Sequence, residues 1–90
     1  MDQSHNIILT PFNFFEWKSE KEILLREKSL YTMTMTIEVD PNESTEKIKW
    51  HNRRDKAYGI LCLSISRDLL FHLDSLTSPN EVWENIEEIF

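Results

Sequence analysis

DKAYGILCLSISRDLLFHL, Asp55 to Leu73, decides the fold. It joins the apolar end of a helix (Ala57, Tyr58, Ile60, Leu61, Cys62, Leu63) to a Ser64-Ile65-Ser66 break and, directly after it, a second apolar run (Leu69, Leu70, Phe71, Leu73). Apolar residues crowded around the axis before the break predict C-terminal turns buried on all sides, so this is read as the central helix. Gly59 inside it costs about 1 kcal/mol relative to Ala and is expected where a neighbouring helix comes close. Ser66 is placed to cap a short third helix, residues 67–73, folded back on the second.

Working outward, Asp40-Pro41-Asn42-Glu43 is the start signal of the central helix, with Asp as cap, Pro at the first helical position and Glu at the third; the helix is predicted over 42–63. Its first half is polar, with Trp50 its largest apolar side chain, on the same face as Ala57 and Leu61. Ser78-Pro79-Asn80-Glu81 opens the last helix, 79–90, with the same logic. Val82, Trp83, Ile86, Ile89 and Phe90 point inward there, and Glu84, Glu87 and Glu88 outward. Upstream, Asn13 and Glu16 mark the start of a first helix over 13–30. Phe14, Trp17, Leu24, Leu25 and Tyr31 form one stripe on it and Phe15, Ile23 and Leu30 a second, so it is apolar on two sides. Lys21 and Lys28 fall in the main stripe and are expected to snorkel to water. Between residues 32 and 39, Met33, Met35, Ile37 and Val39 alternate with Thr32, Thr34, Thr36 and Glu38, the two-residue period of an extended segment. That segment either lies across the helices or pairs with another chain. Residues 1–12 read as an extended arm that packs Ile7, Ile8 and Leu9 on the body. The expected fold class is all-α, a small bundle of about four helices in a single domain over 13–90.

Composition narrows the function. Ninety residues form one small domain of modest stability. A net charge of −6 speaks against nucleic acid as the default partner. The lone Cys62 excludes an internal disulfide and a CxxC metal site and suits a reducing compartment, so a cytoplasmic location is expected. No segment approaches 18 apolar residues, and no signal peptide opens the chain; on that ground the Asn42-Glu43-Ser44 sequon is incidental. His5, His51 and His72 lack metal-like spacing, one glycine cannot build a phosphate loop, and Ser64-Ile65-Ser66 is not a nucleophile elbow. No enzyme, cofactor or metal is expected. The basic strip Lys47, Lys49, Arg53, Arg54 and Lys56, with Trp50 inside it, offers candidate RNA contacts through charge and stacking; the other reading is a solvated face ion-paired with Glu43, Glu46 and Asp55.

FFEWKSEKEILLREKSLY, an acidic linker with Pro, DKAYGILCLSISRDLLFHL and TSPNEVWENIEEIF, taken in that order, resemble the N-terminal part of the Gag region of Copia-type long-terminal-repeat retrotransposons of plant genomes. The likeness spans residues 12–90 and rests on Trp17, Leu24 and Leu25, the Leu30-Tyr31 pair, the run from Ile60 to Leu70, and Trp83. It implies a capsid-like helical domain that self-assembles into virus-like particles enclosing RNA, with no catalysis. Lys21 departs from the family, which commonly has Met or another apolar residue there. The chain is expected to be C-terminally truncated relative to the family, without the remaining capsid helices and the CCHC zinc knuckle. Two functions follow as expectations: a structural module that homo-oligomerises, with Phe15, Ile23, Leu30, Val82, Trp83, Ile86, Ile89 and Phe90 as candidate self-association surface, or a truncated or domesticated Gag that regulates by co-assembly with related Gag chains.

Overall fold

The computed structural model describes residues 7–36, 38–73 and 75–90. Its order is α1 (Phe14–Glu27), α2 (Tyr31–Met35), α3 (Ser44–Leu63), α4 (Arg67–Leu70), which runs into a 3₁₀ turn at Phe71–Leu73, and α5 (Pro79–Ile89). Among the described residues every regular element is helical, so the fold is all-α. The one β-type contact is an isolated parallel bridge between Leu9 and Ile65.

α1 stops three residues short of the predicted end. Ser29 takes a left-handed φ of 61°; Leu30 N–H then reaches back to the Leu25 carbonyl (2.7 Å) and Ser29 N–H to the Arg26 carbonyl (3.1 Å). These are the two bonds of a Schellman ending, built here on serine rather than the usual Gly or Asn. The chain therefore turns early enough for a separate α2. That helix corrects the extended reading of residues 32–39. The hydroxyls of Thr34 and Thr36 donate to the carbonyls of Leu30 (3.0 Å) and Thr32 (2.7 Å), four residues back. With no neighbouring strand to accept a ladder, the helical turn is what satisfies this backbone. Met33 and Thr34 are buried by it, whereas Val39 is exposed; Ile37 lies outside the described residues.

α3 starts at Ser44, two residues later than predicted. Glu43, not Asp40, is the cap and accepts from Glu46 N–H (2.8 Å), while the Asp40 carboxylate is engaged by Lys47 at 3.1 Å. Burial on all sides at the C-terminal turns is also corrected. Ala57 and Leu61 are buried, Ile60 and Cys62 are half-buried, and Leu63 is 85 % exposed. No helix approaches Gly59 closely: a Cβ there would meet nothing within 4 Å. Asn13 does stand at the start of α1, but its side chain turns back to the arm, accepting from Thr10 N–H (2.8 Å) and donating to the Ile8 carbonyl (2.9 Å). Ser66 precedes α4 without a side-chain cap. Ser78 caps α5 as read, accepting from Glu81 N–H at 3.1 Å.

The core gathers Trp17 and Leu25 from α1, Leu30 and Met33 around α2, Ala57 and Leu61 from α3, and Val82, Trp83 and Ile86 from α5, with Leu9, Ile65 and Leu73 closing it. The Trp17 and Trp83 rings stack at 5.5 Å, which locks α1 against α5. Asn80 Nδ2 donates to the buried Thr34 carbonyl (3.0 Å) and ties α5 to α2. At the break after α3, an orphan helix-end carbonyl finds two donors: Ser64 O accepts from Leu9 N–H (2.8 Å) and from Trp17 Nε1 (2.8 Å). Ser66 N–H returns a bond to the Leu9 carbonyl (3.1 Å), so the arm is stitched to the break and Leu9 is fully buried. Lys21 does not snorkel. It is 1 % exposed and pairs with the Glu20 carboxylate, which also accepts from Ile7 N–H of the arm; Lys28 is exposed, as expected of its charge.

Candidate functional site

The structure splits the predicted self-association set. Leu30, Val82, Trp83 and Ile86 are spent in the core and offer nothing to a second molecule; a helix packed between layers uses its apolar face within its own domain. Phe15, Ile23, Ile89 and Phe90 remain exposed, which corrects the inward placement of the last two. Three aromatics meet where α1 begins and α5 ends. Phe14 lies 5.5 Å from Phe15 and stacks on Phe90 at 5.6 Å, and Phe15 is 80 % exposed. Lys18 bridges the same ends, 3.0 Å from Glu87 and 5.8 Å from the Phe14 ring. The outer side of α5 beside this tip carries Glu84, Glu87 and Glu88 and no cation. Phe12, Leu63 and Phe71 are also exposed; Leu63 and Phe71 come from the apolar runs on either side of the Ser64-Ile65-Ser66 break, whereas Phe12 was not singled out from the sequence.

The basic strip does not form one surface. Helical spacing puts Lys47 and Arg54 on one flank of Trp50 and Lys49, Arg53 and Lys56 towards the other. Lys47 pairs with Asp40 (3.1 Å), Lys49 lies 3.9 Å from Glu46, and Arg53 is held by Glu38 (3.3 Å) and by the Ser29 carbonyl (3.3 Å). Arg54 sits 5.9 Å from the Trp50 ring and, among the described residues, has no carboxylate partner. Trp50 itself is half-buried rather than fully covered. Its Nε1 is shut off from solvent and lacks an acceptor in good hydrogen-bond geometry, although the Glu38 carboxylate is near enough to feel the indole N–H. Burial alone raises the Glu38 pKa, but hydrogen bonds from Thr32 and Arg53, the Arg53 charge and the indole outweigh it and hold the carboxyl below the usual range.

Around Trp50 the fold leaves a half-open cavity of about 210 Å³ lined by Met33, Glu38, Trp50, Arg54, Pro79 and Asn80, among others. It draws on α2, the linker after it, α3 and the start of α5, a juxtaposition that only the tertiary fold creates. The signals for it in the sequence are a tryptophan isolated in the polar half of α3 and the Ser78-Pro79 start of α5.

His51 lies 3.7 Å from Asp40 and the His72 ring contacts Phe71; His5 is outside the described residues. Among the described residues no cluster of three His, Cys, Asp or Glu could hold a metal ion. Burial pushes the Cys62 thiol up, with a hydrogen bond to Tyr58 opposing it, so the thiolate needed by a nucleophile is disfavoured. No described helix is long and apolar enough to cross a membrane. Compared with known proteins, the chain matches no family model, no curated protein and no solved structure.

Proposed function

We propose that this chain is a non-enzymatic self-assembly module of the Gag capsid type, acting through the aromatic tip where α1 and α5 meet. One observation carries the reading: Phe15, Ile89 and Phe90 stand exposed in or beside a cluster of three aromatic rings where α1 begins and α5 ends. A grouped apolar patch of this kind marks an interaction surface more often than scattered single residues do. Each ring fully buried is worth about 1.5–3 kcal/mol, so association through this patch is weak and emerges only at high protein concentration. Enclosure of RNA would then be a consequence of assembly rather than of direct binding, in keeping with the ion pairs that occupy Lys47, Lys49 and Arg53.

Sedimentation velocity over a concentration series tests this. The weight-average mass should rise with concentration into the high micromolar range, and Phe15→Ser should suppress the rise without altering the thermal midpoint. A strict monomer at every concentration would sink the proposal.

A further inference from the structure

The aromatic tip and the Trp50 cavity lie at opposite ends of α5. Phe90 closes its C-terminus, while Ser78, Pro79 and Asn80 line the cavity at its N-terminus, separated by roughly the 16 Å that eleven residues span. The two ends are complementary. The tip offers a protruding Phe15 ring, and the end of α5 that meets it, where Phe14 stacks on Phe90 and Lys18 pairs with Glu87, carries Glu84, Glu87 and Glu88. Among the described residues, Glu87 alone of these is answered by a cation, Lys18. The cavity offers Met33, Pro79 and the half-buried Trp50 ring for an aromatic side chain, and the unpaired Arg54 for an acid. Its other charge, Glu38, is already neutralised by Arg53. The positive end of the α5 dipole adds to the attraction for carboxylates. The half-open cavity measures about 210 Å³, more than the roughly 150 Å³ in which an enclosed apolar cavity holds a benzene ring, so volume does not bar the ring.

We infer that Phe15 of one copy inserts beside Trp50 of the next, with the acidic side of the tip facing Arg54. This rests on the self-assembly reading and specifies it: the contact is heterologous, head to tail. Such a contact is not self-complementary. It propagates into a ring if the rotation closes and into an open array if it does not, whereas an isologous tip-to-tip contact would stop at a dimer.

The test uses the whole chain in two variants, Phe15→Ser with a disabled tip and Arg54→Glu with a disabled cavity; Arg54→Gln serves as a milder second cavity variant, and circular dichroism melting confirms that all three fold. Each variant alone should sediment as a monomer. Mixed one to one, Phe15→Ser and Arg54→Glu should form a heterodimer that does not grow, because the mixture holds one intact tip and one intact cavity per pair. Association of both Arg54 variants at the parent's strength would overturn the head-to-tail contact while leaving self-assembly standing, as would a mixture of Phe15→Ser and Arg54→Glu that stays monomeric. A parent chain that never associates would overturn both.

Discussion

Gly59 sits in α3 with a helical backbone and open space around the position of its absent Cβ, although a glycine beside apolar neighbours suggests close packing. The conformational freedom it adds to the unfolded chain is therefore an uncompensated cost. Gly59→Ala should stabilise the protein by about 1 kcal/mol, seen as a higher urea midpoint with an unchanged slope; a destabilised variant would show that some neighbour does approach. Lys21 was misjudged in the other direction. Its place in the apolar stripe was legible, but its burial was not, because residues i and i+1 of a helix do not normally face each other. Here Glu20 is drawn towards the ammonium by the arm, whose Ile7 N–H shares the same carboxylate oxygen. No pattern within α1 encodes that third participant.

At the level of elements, starts were easier to read than ends. Ser78-Pro79 and the region of Asn13 located α5 and α1, since caps and N-terminal prolines have a chemical signature. The end of α1 depends on serine adopting a conformation it rarely takes, and α2 depends on threonine hydroxyls serving the helix they usually oppose. The linker from α2 to α3 is held by charge: Glu38 reaches Arg53 of α3 and Thr32 of α2. Because its folded pKa lies below the unfolded one, Glu38 adds stability above the ordinary glutamate range of about 4.3 and loses it as pH falls through the folded value. Arg53→Gln should accordingly flatten the loss of stability between pH 6 and pH 3, measured by urea unfolding at each pH. An unchanged pH profile would mean that other carboxylates control acid stability.

For the whole molecule, the all-α class was legible, since it follows from helical periodicity and a near absence of glycine, whereas the burial expected around residues 55–73 is only partial, with Leu63 and Phe71 exposed. The docking of the arm was only half legible: its aliphatics announced burial, but their acceptor lies more than fifty residues away. Leu9→Ala should cost about 2–5 kcal/mol, a large share of what a domain this size possesses, so calorimetry should show a much lower melting temperature or a largely unfolded chain; a small shift would mean that the arm is dispensable. The bonds at Ser64 O also set an order of events during synthesis. The arm leaves the ribosome first, yet its partner carbonyl, like that of the Trp17 indole, is made some fifty residues later. Until residues 64–66 emerge, Leu9 and Trp17 have no seat. The nascent chain therefore carries α1 with its main apolar stripe uncovered, and closure of the domain is a late step that waits first for the Ser64 carbonyl and then for the Trp83 ring of α5.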